Sequence, residues 1–202
     1  MNRMKRILAI GCAIVLLLGT LVFAQAATTR SLSDFIDTEK LTAAFFFDGN
    51  LDAAYGTNTA TAMGETSYVD GLNGKAVSVP GEAYVSTDLK FTEKSFSISL
   101  WINRGDVTGD PYLYGNQDWN NSRNTGFTVP MAGSGKNAGM AFSYQPTSTR
   151  IRLVTVFDAA KLDHWVHTML IVDRENNVVK YYEDFEYVTE TSIAGLGSNS
   201  LV

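Results

Sequence analysis

Oxygen-bearing side chains gather on one short turn. Asp48 and Asn50 flank Gly49, and Asp52 follows two residues later. Calcium in proteins takes roughly six to eight oxygen ligands from carboxylates, amides and backbone carbonyls. Asp48, Gly49 and Asn50 are therefore candidates for a structural Ca²⁺ site. These residues are equally typical of an ordinary Asp-Gly turn with solvated carboxylates, and the sequence alone leaves both interpretations open.

A polar loop with one large aromatic residue forms a second candidate site. Its candidate ligand-binding residues are Asn116, Asp118, Trp119, Asn120 and Arg123. Such a loop suits carbohydrate hydroxyls or a protein surface, because its polar groups hydrogen-bond while an indole ring provides apolar contact. The alternative is an internally hydrogen-bonded Ω-loop anchored by a buried Trp119.

Trp101 is the third candidate for ligand binding. Within residues 95–103, apolar and polar residues alternate with a period of two, which predicts a strand with Phe96, Ile98 and Leu100 on one face. Trp101 then lies on the opposite face. There it either stacks on a sugar or peptide, or packs beneath a covering loop.

The sequence contains no complete set of residues typical of a catalytic site. Glycoside hydrolysis needs two carboxylates across a sugar; of the acids near residue 184, only Asp184 and Glu186 share a face if they lie on one strand. His164 and His167 are three apart on a predicted strand, so they point to opposite faces and do not share a metal. No Gly-x-Ser-x-Gly nucleophile motif is present. The sequence therefore predicts a protein without catalytic activity.

Composition excludes several other classes. The chain has 202 residues with a formal net charge of -5, which argues against nucleic-acid binding. Its single cysteine excludes an intrachain disulfide framework and a four-cysteine zinc site.

The N-terminus is typical of an export signal. A basic start precedes an apolar run from Ile7 to Ala24, and Ala24-Gln25-Ala26 matches a signal-peptidase site. We expect residues 1–26 to be a signal peptide and the protein to be secreted, with no membrane attachment after cleavage. An uncleaved membrane anchor is the alternative. Residues 27–40 are predicted to be a polar lead-in.

The elements that position these candidates are predicted to be strands. Period-two or β-rich segments cover residues 95–103, 165–172 and 178–188, and shorter candidates cover 43–47, 75–79, 83–86, 112–114, 127–131, 139–144 and 150–156. Segment 165–172 is apolar on both faces, as in a central covered strand. Gly- and Asn-rich turns separate the segments. This pattern predicts an all-β, two-sheet antiparallel β-sandwich of jelly-roll type.

Ordered motifs across residues 42–188 resemble a laminin-G-like module of the concanavalin-A-like lectin/glucanase superfamily, in its bacterial secreted form. The motifs are Phe46-Phe47-Asp48-Gly49-Asn50, Gly71-Leu72-Asn73-Gly74-Lys75-Ala76, Phe96-Ser97-Ile98-Ser99-Leu100-Trp101-Ile102, Asn116-Gln117-Asp118-Trp119-Asn120, Gly126-Phe127, His164-Trp165-Val166-His167 and Tyr182-Glu183-Asp184. The resemblance implies a concanavalin-A-like fold over residues 41–202. It also implies that a structural calcium ion lies near the first strand.

Two features depart from this family pattern. Phe185 stands where the family usually has a turn glycine, so the hairpin is expected to use another turn or a bulge, because phenylalanine disfavours positive φ. The chain also stops at Val202, before the closing strand that the family usually has. We therefore expect the domain to be incomplete at its C-terminal end.

Together these features predict a secreted, non-catalytic module that binds carbohydrate or an extracellular protein. The alternative is an accessory N-terminal domain of a larger secreted hydrolase whose catalytic part is absent from this chain. A purely structural spacer is a third interpretation. The sequence identifies neither the ligand nor the oligomeric state.

Overall fold

The computed structural model describes residues 37–105, 112–117, 125–130, 137–144, 149–156 and 161–201. The chain divides into two compact units, Met1–Thr42 and Ala43–Val202. In the first unit only residues 37–42 are described, and they contain the 3-10 turn Thr38–Lys40. The predicted signal peptide lies outside the described residues, as does most of the predicted lead-in.

Strands make up nearly all the regular structure described in the second unit. They are β1 (Ala44–Phe45), β2 (Ala53–Tyr55), β3 (Ala60–Met63), β4 (Ser67–Asp70), β5 (Lys75–Ser78), β6 (Tyr84–Thr87), β7 (Phe96–Asn103), β8 (Tyr112–Gly115), β9 (Gly126–Pro130), β10 (Asn137–Tyr144), β11 (Thr149–Val156), β12 (Trp165–Asp173), β13 (Val178–Glu183) and β14 (Glu186–Ser192). A 3-10 turn, Ala194–Leu196, follows β14.

Two four-stranded sheets form the body of the second unit. Their strand orders are β11-β10-β9-β8 and β14-β13-β12-β7, and three two-stranded sheets pair β1 with β2, β3 with β6 and β4 with β5. Every pairing among the described strands is antiparallel. The predicted fold class, an all-β antiparallel sandwich, is confirmed.

The core lies between the two four-stranded sheets. One cluster of buried side chains joins them, consisting of Phe127, Val129, Phe142, Leu170, Val172, Val179, Tyr181, Ile193, Leu196 and Leu201. Phe127 stacks on Phe142 with ring centroids 6.0 Å apart, and Phe91 meets it edge-on at 5.1 Å. Because each buried phenylalanine contributes about 2–3 kcal/mol, this aromatic contact is a main source of sandwich stability.

The structure confirms the predicted strands in the two long segments 95–103 and 165–172. The alternation in β7 is confirmed, since its residues are half-buried and exposed in strict alternation. Strand β12 pairs with β7 on one side and β13 on the other, so its predicted central position is also confirmed. The β-rich segment 178–188 is divided into β13 and β14 by a turn at Asp184 and Phe185, where the resemblance implies a hairpin. Asp184 and Glu186 therefore do not share one strand face.

Candidate functional site: an aromatic platform on one sheet

The antiparallel pairing of β7 with β12 brings Trp101 directly opposite His167. Phe96 and Ile98 pack against the core, so Trp101 lies on the outer face of the sheet, as predicted. Its side chain is 43% exposed, and its ring centroid lies 5.3 Å from that of His167. Ser97 and Ser99 precede it on the same face, and both are exposed.

The turn between β13 and β14 carries a third ring to this place. Asp184 and Phe185 have φ values of 49° and 68°, and positive φ at both central residues is the signature of a type I′ hairpin turn. Asp accepts this conformation readily, whereas phenylalanine there costs about 1–2 kcal/mol. The expectation that the hairpin would avoid positive φ at Phe185 is therefore wrong. From the sequence we also expected a bulge as an alternative, and the register of this hairpin does shift between Tyr181 and Tyr182.

Aromatic contacts hold Phe185 in this conformation. Its ring stacks on His167 with centroids 4.2 Å apart and planes 14° apart, and it meets Trp101 at 6.0 Å and 70°. Such ring pairs contribute about 0.5–1.5 kcal/mol each, comparable with the backbone strain. Phe185 nevertheless remains 68% exposed. We call Trp101, His167 and Phe185 the aromatic platform.

Polar contacts anchor the same turn. The Asp184 amide donates to the His167 carbonyl at 2.8 Å, and Asp184 Oδ1 accepts from the His167 amide at 3.0 Å. Lys161 Nζ lies 3.2 Å from Asp184 Oδ2 and 2.9 Å from Glu183 Oε2. Burial raises the pKa of Asp184, but the His167 amide and Lys161 outweigh it and leave that pKa below its usual value. Burial likewise lowers the pKa of Lys161, and the two carboxylates more than compensate, so its pKa is raised.

His167 forms the buried base of the platform. It is only 5% exposed, and Nε2 lies 2.8 Å from the Ser99 hydroxyl in a hydrogen bond. Nδ1 has no hydrogen-bond partner among the described residues. Burial lowers the pKa of His167, which the Asp184 carboxylate partly opposes. Burial therefore favours the neutral form of the ring.

A second aromatic group lies beside the platform. Tyr182 is paired with Met169 on β12 and with Tyr187 on β14, and the two tyrosine rings meet at 5.8 Å and 77°. Met169 is two residues from His167, so both groups lie on the same face of the sheet. Tyr187 is 54% exposed. We call Tyr182 and Tyr187 the tyrosine pair.

Asp48 stabilises the hairpin of β4 and β5 through a hydrogen bond. Its Oδ1 accepts from the Lys75 amide at 2.7 Å, at the turn that joins β4 and β5. Gly74 there has a φ of 82°, and a β-carbon on it would lie 2.7 Å from the same carboxylate oxygen. Asn50 Oδ1 accepts from the Asp52 amide at 2.9 Å. Both side chains therefore have a role in local structure.

The structure describes the residues of the candidate calcium site. Within the described ranges no group of three His, Cys, Asp or Glu side chains is placed to hold a metal ion. A calcium ion here stays a prediction of the family resemblance.

Asn116 supports the fold with both ends of its side chain. Its Nδ2 donates to the Leu201 carbonyl at 2.6 Å, and its Oδ1 accepts from the Phe127 amide at 2.9 Å. These contacts connect β8, β9 and the buried C-terminal segment. The other candidates of the polar loop, Asp118, Trp119, Asn120 and Arg123, lie outside the described residues.

The alternation in β7 predicted the outward face of Trp101 but did not reveal its neighbours. His167 was interpreted only as a strand residue, and Phe185 only as an obstacle to a turn. The signal available in the sequence was Phe185 itself. A large aromatic residue at a turn position that suits glycine indicates that its side chain has a function.

Comparison with known proteins adds no family to this account. No protein-family model matches the chain, and no curated protein matches it. In the part of the chain that the structure describes, no helix is long and apolar enough to cross a membrane. The fold and the site thus define an all-β sandwich with an exposed aromatic platform on one sheet, and the laminin-G-like resemblance stays a prediction.

Proposed function

We propose that the protein is a secreted, non-catalytic module that binds carbohydrate on the aromatic platform. Flat exposed rings stack on the C–H faces of sugars, and neighbouring polar groups hydrogen-bond the sugar hydroxyls. Trp101 and Phe185 supply the rings. The exposed side chains of Ser97, Ser99 and Asn103 follow the same face of β7 and supply hydroxyl and amide groups.

One observation carries the proposal: Phe185 is both strained and exposed. A positive φ of 68° makes phenylalanine unfavourable in the turn, and its ring does not gain the full stabilisation of burial. Residues held in such conformations cluster at functional sites, where the surrounding structure compensates for the strain. Here the stack on His167 and the Asp184 contacts compensate.

The contacts of Glu183 and Asp184 favour a binding site over a hydrolytic one. Glycoside hydrolysis requires one carboxyl group to donate a proton while a second acts across the sugar. Glu183 already accepts from the Tyr181 hydroxyl at 3.1 Å and pairs with Lys161, and Asp184 is held by Lys161 and the His167 amide. Both carboxylates act as anchors of the turn.

Binding to a panel of immobilised glycans tests the proposal. Trp101→Ala is expected to weaken binding by about tenfold or more, the equivalent of one lost ring contact. Tyr84→Ala is the matched control, since Tyr84 is 53% exposed on β6, which belongs to a different sheet. Equal binding by Trp101→Ala and wild type would contradict the proposed site, and binding to a protein but to no glycan would contradict the ligand class.

A further inference from the structure

We propose that the ligand is a neutral, linear glycan that covers the platform and the tyrosine pair together. This inference rests on the proposed function and adds the length and charge of the ligand. Two observations carry it: both aromatic groups lie on one sheet face, and exposed carboxylates flank Phe185 in the turn.

The β13–β14 hairpin determines the spacing of the two groups. Phe185 lies in the turn, while Tyr182 and Tyr187 face each other just behind it. On β12 the corresponding positions are His167 and Met169, two residues apart, which in a strand is a separation of about 7 Å. A single sugar stacked on Phe185 leaves Tyr187 uncovered, whereas a chain of linked units reaches both.

The polar residues of the face favour a sugar chain over a protein partner. Exposed Ser97 and Ser99 lie in the same row on β7 as Trp101. Protein interfaces are typically driven by a continuous buried aromatic or aliphatic centre. Separate ring groups beside a row of hydroxyls match alternating C–H faces and hydroxyls along a glycan instead.

Charge around the turn disfavours an acidic glycan. Asp184 and Glu186 are both exposed on either side of Phe185. Among the described residues, Lys161 contacts this turn and is already paired with Glu183 and Asp184. A uronic acid carboxylate beside Phe185 would therefore face like charges at close range.

Calorimetric titration with oligosaccharides of one to four units tests length and charge together. The neutral probes are cello-, xylo- and manno-oligosaccharides, and oligogalacturonides are the acidic series. We expect at least one neutral series to gain about tenfold or more in affinity from one to three units, because the second contact becomes intramolecular. The acidic series is expected to bind more weakly, with a difference that shrinks in high salt.

Tyr187→Ala separates this inference from the proposed function. It should remove the gain in affinity from one to three units, while Tyr84→Ala keeps that gain. Equal affinity for one and three units, an unchanged length dependence in Tyr187→Ala, or tighter binding of the acidic series would overturn the inference but leave platform binding intact. Absence of binding to every glycan, in this assay and on the immobilised panel, would overturn the proposed function itself.

Discussion

At the turn between β13 and β14, Phe185 has an unfavourable backbone conformation that its ring contacts offset. Its φ of 68° is unfavourable by about 1–2 kcal/mol, and its stack on His167 at 4.2 Å returns a similar amount. The stack also buries His167, whose Nδ1 has no partner in the described part of the chain. Two unfavourable features therefore lie at the platform: the positive φ of Phe185 and the Nδ1 of His167, unpartnered among the described residues.

The buried ring of His167 predicts a pH dependence of stability. Burial leaves its pKa below the ordinary 6.5, with Asp184 opposing. The unfolded chain therefore binds this proton more readily, so stability is full above about pH 6.5 and declines as pH falls below it. His167→Phe preserves the stack and should flatten that decline below about pH 6.5 in denaturant titrations.

The second histidine of the chain provides the control for this measurement. His164 is exposed, so His164→Asn should keep the wild-type decline. A His167→Phe protein with the wild-type pH dependence would show that another group causes it. Asp184, whose pKa is lowered, contributes a separate loss of stability at more acidic pH.

At the scale of elements, Lys161 joins the segment before β12 to the β13–β14 hairpin. Its half-buried ammonium contacts Glu183 at 2.9 Å and Asp184 at 3.2 Å. Lys161→Met leaves both carboxylates without their cation, so we expect a loss of about 1–3 kcal/mol in unfolding free energy. Glycan affinity should fall as well, since Asp184 positions the Phe185 turn.

Two substitutions sharpen the Lys161 measurement. Lys161→Arg retains the charge and should restore most of the affinity. Lys75→Met breaks the exposed ion pair with Asp70, at 2.6 Å, and should cost less than about 0.5 kcal/mol because solvent screens such pairs. Equal effects of Lys161→Met and Lys75→Met would remove the assigned anchoring role.

The strand β7 was predictable from the sequence, whereas the arrangement of the platform was not. The alternation in β7 is a local pattern, so both the strand and the outward face of Trp101 were predictable from it. The platform depends on which residue of β12 lies opposite Trp101 and on a turn far along the chain. Register between distant strands depends on the packed sheets as a whole, and no local pattern contains it.

At the scale of the whole molecule, stability and proposed binding use different parts of the sandwich. Phe127, Phe142 and Leu170 in the core hold the two sheets together. The platform lies on the outer face of one sheet and adds strain instead. A binding site of this kind should therefore be removable without loss of the fold.

The most direct test measures unfolding free energy and glycan affinity for wild type, Phe185→Ala and Phe185→Gly. Both variants lose the ring stack, but only glycine also relieves the positive φ. We predict that Phe185→Gly is more stable than Phe185→Ala by about 1 kcal/mol, remains within about 1 kcal/mol of wild type, and loses glycan binding as Phe185→Ala does. A glycine variant that binds glycan like wild type, or one as unstable as the alanine variant, would contradict a strained residue kept for binding.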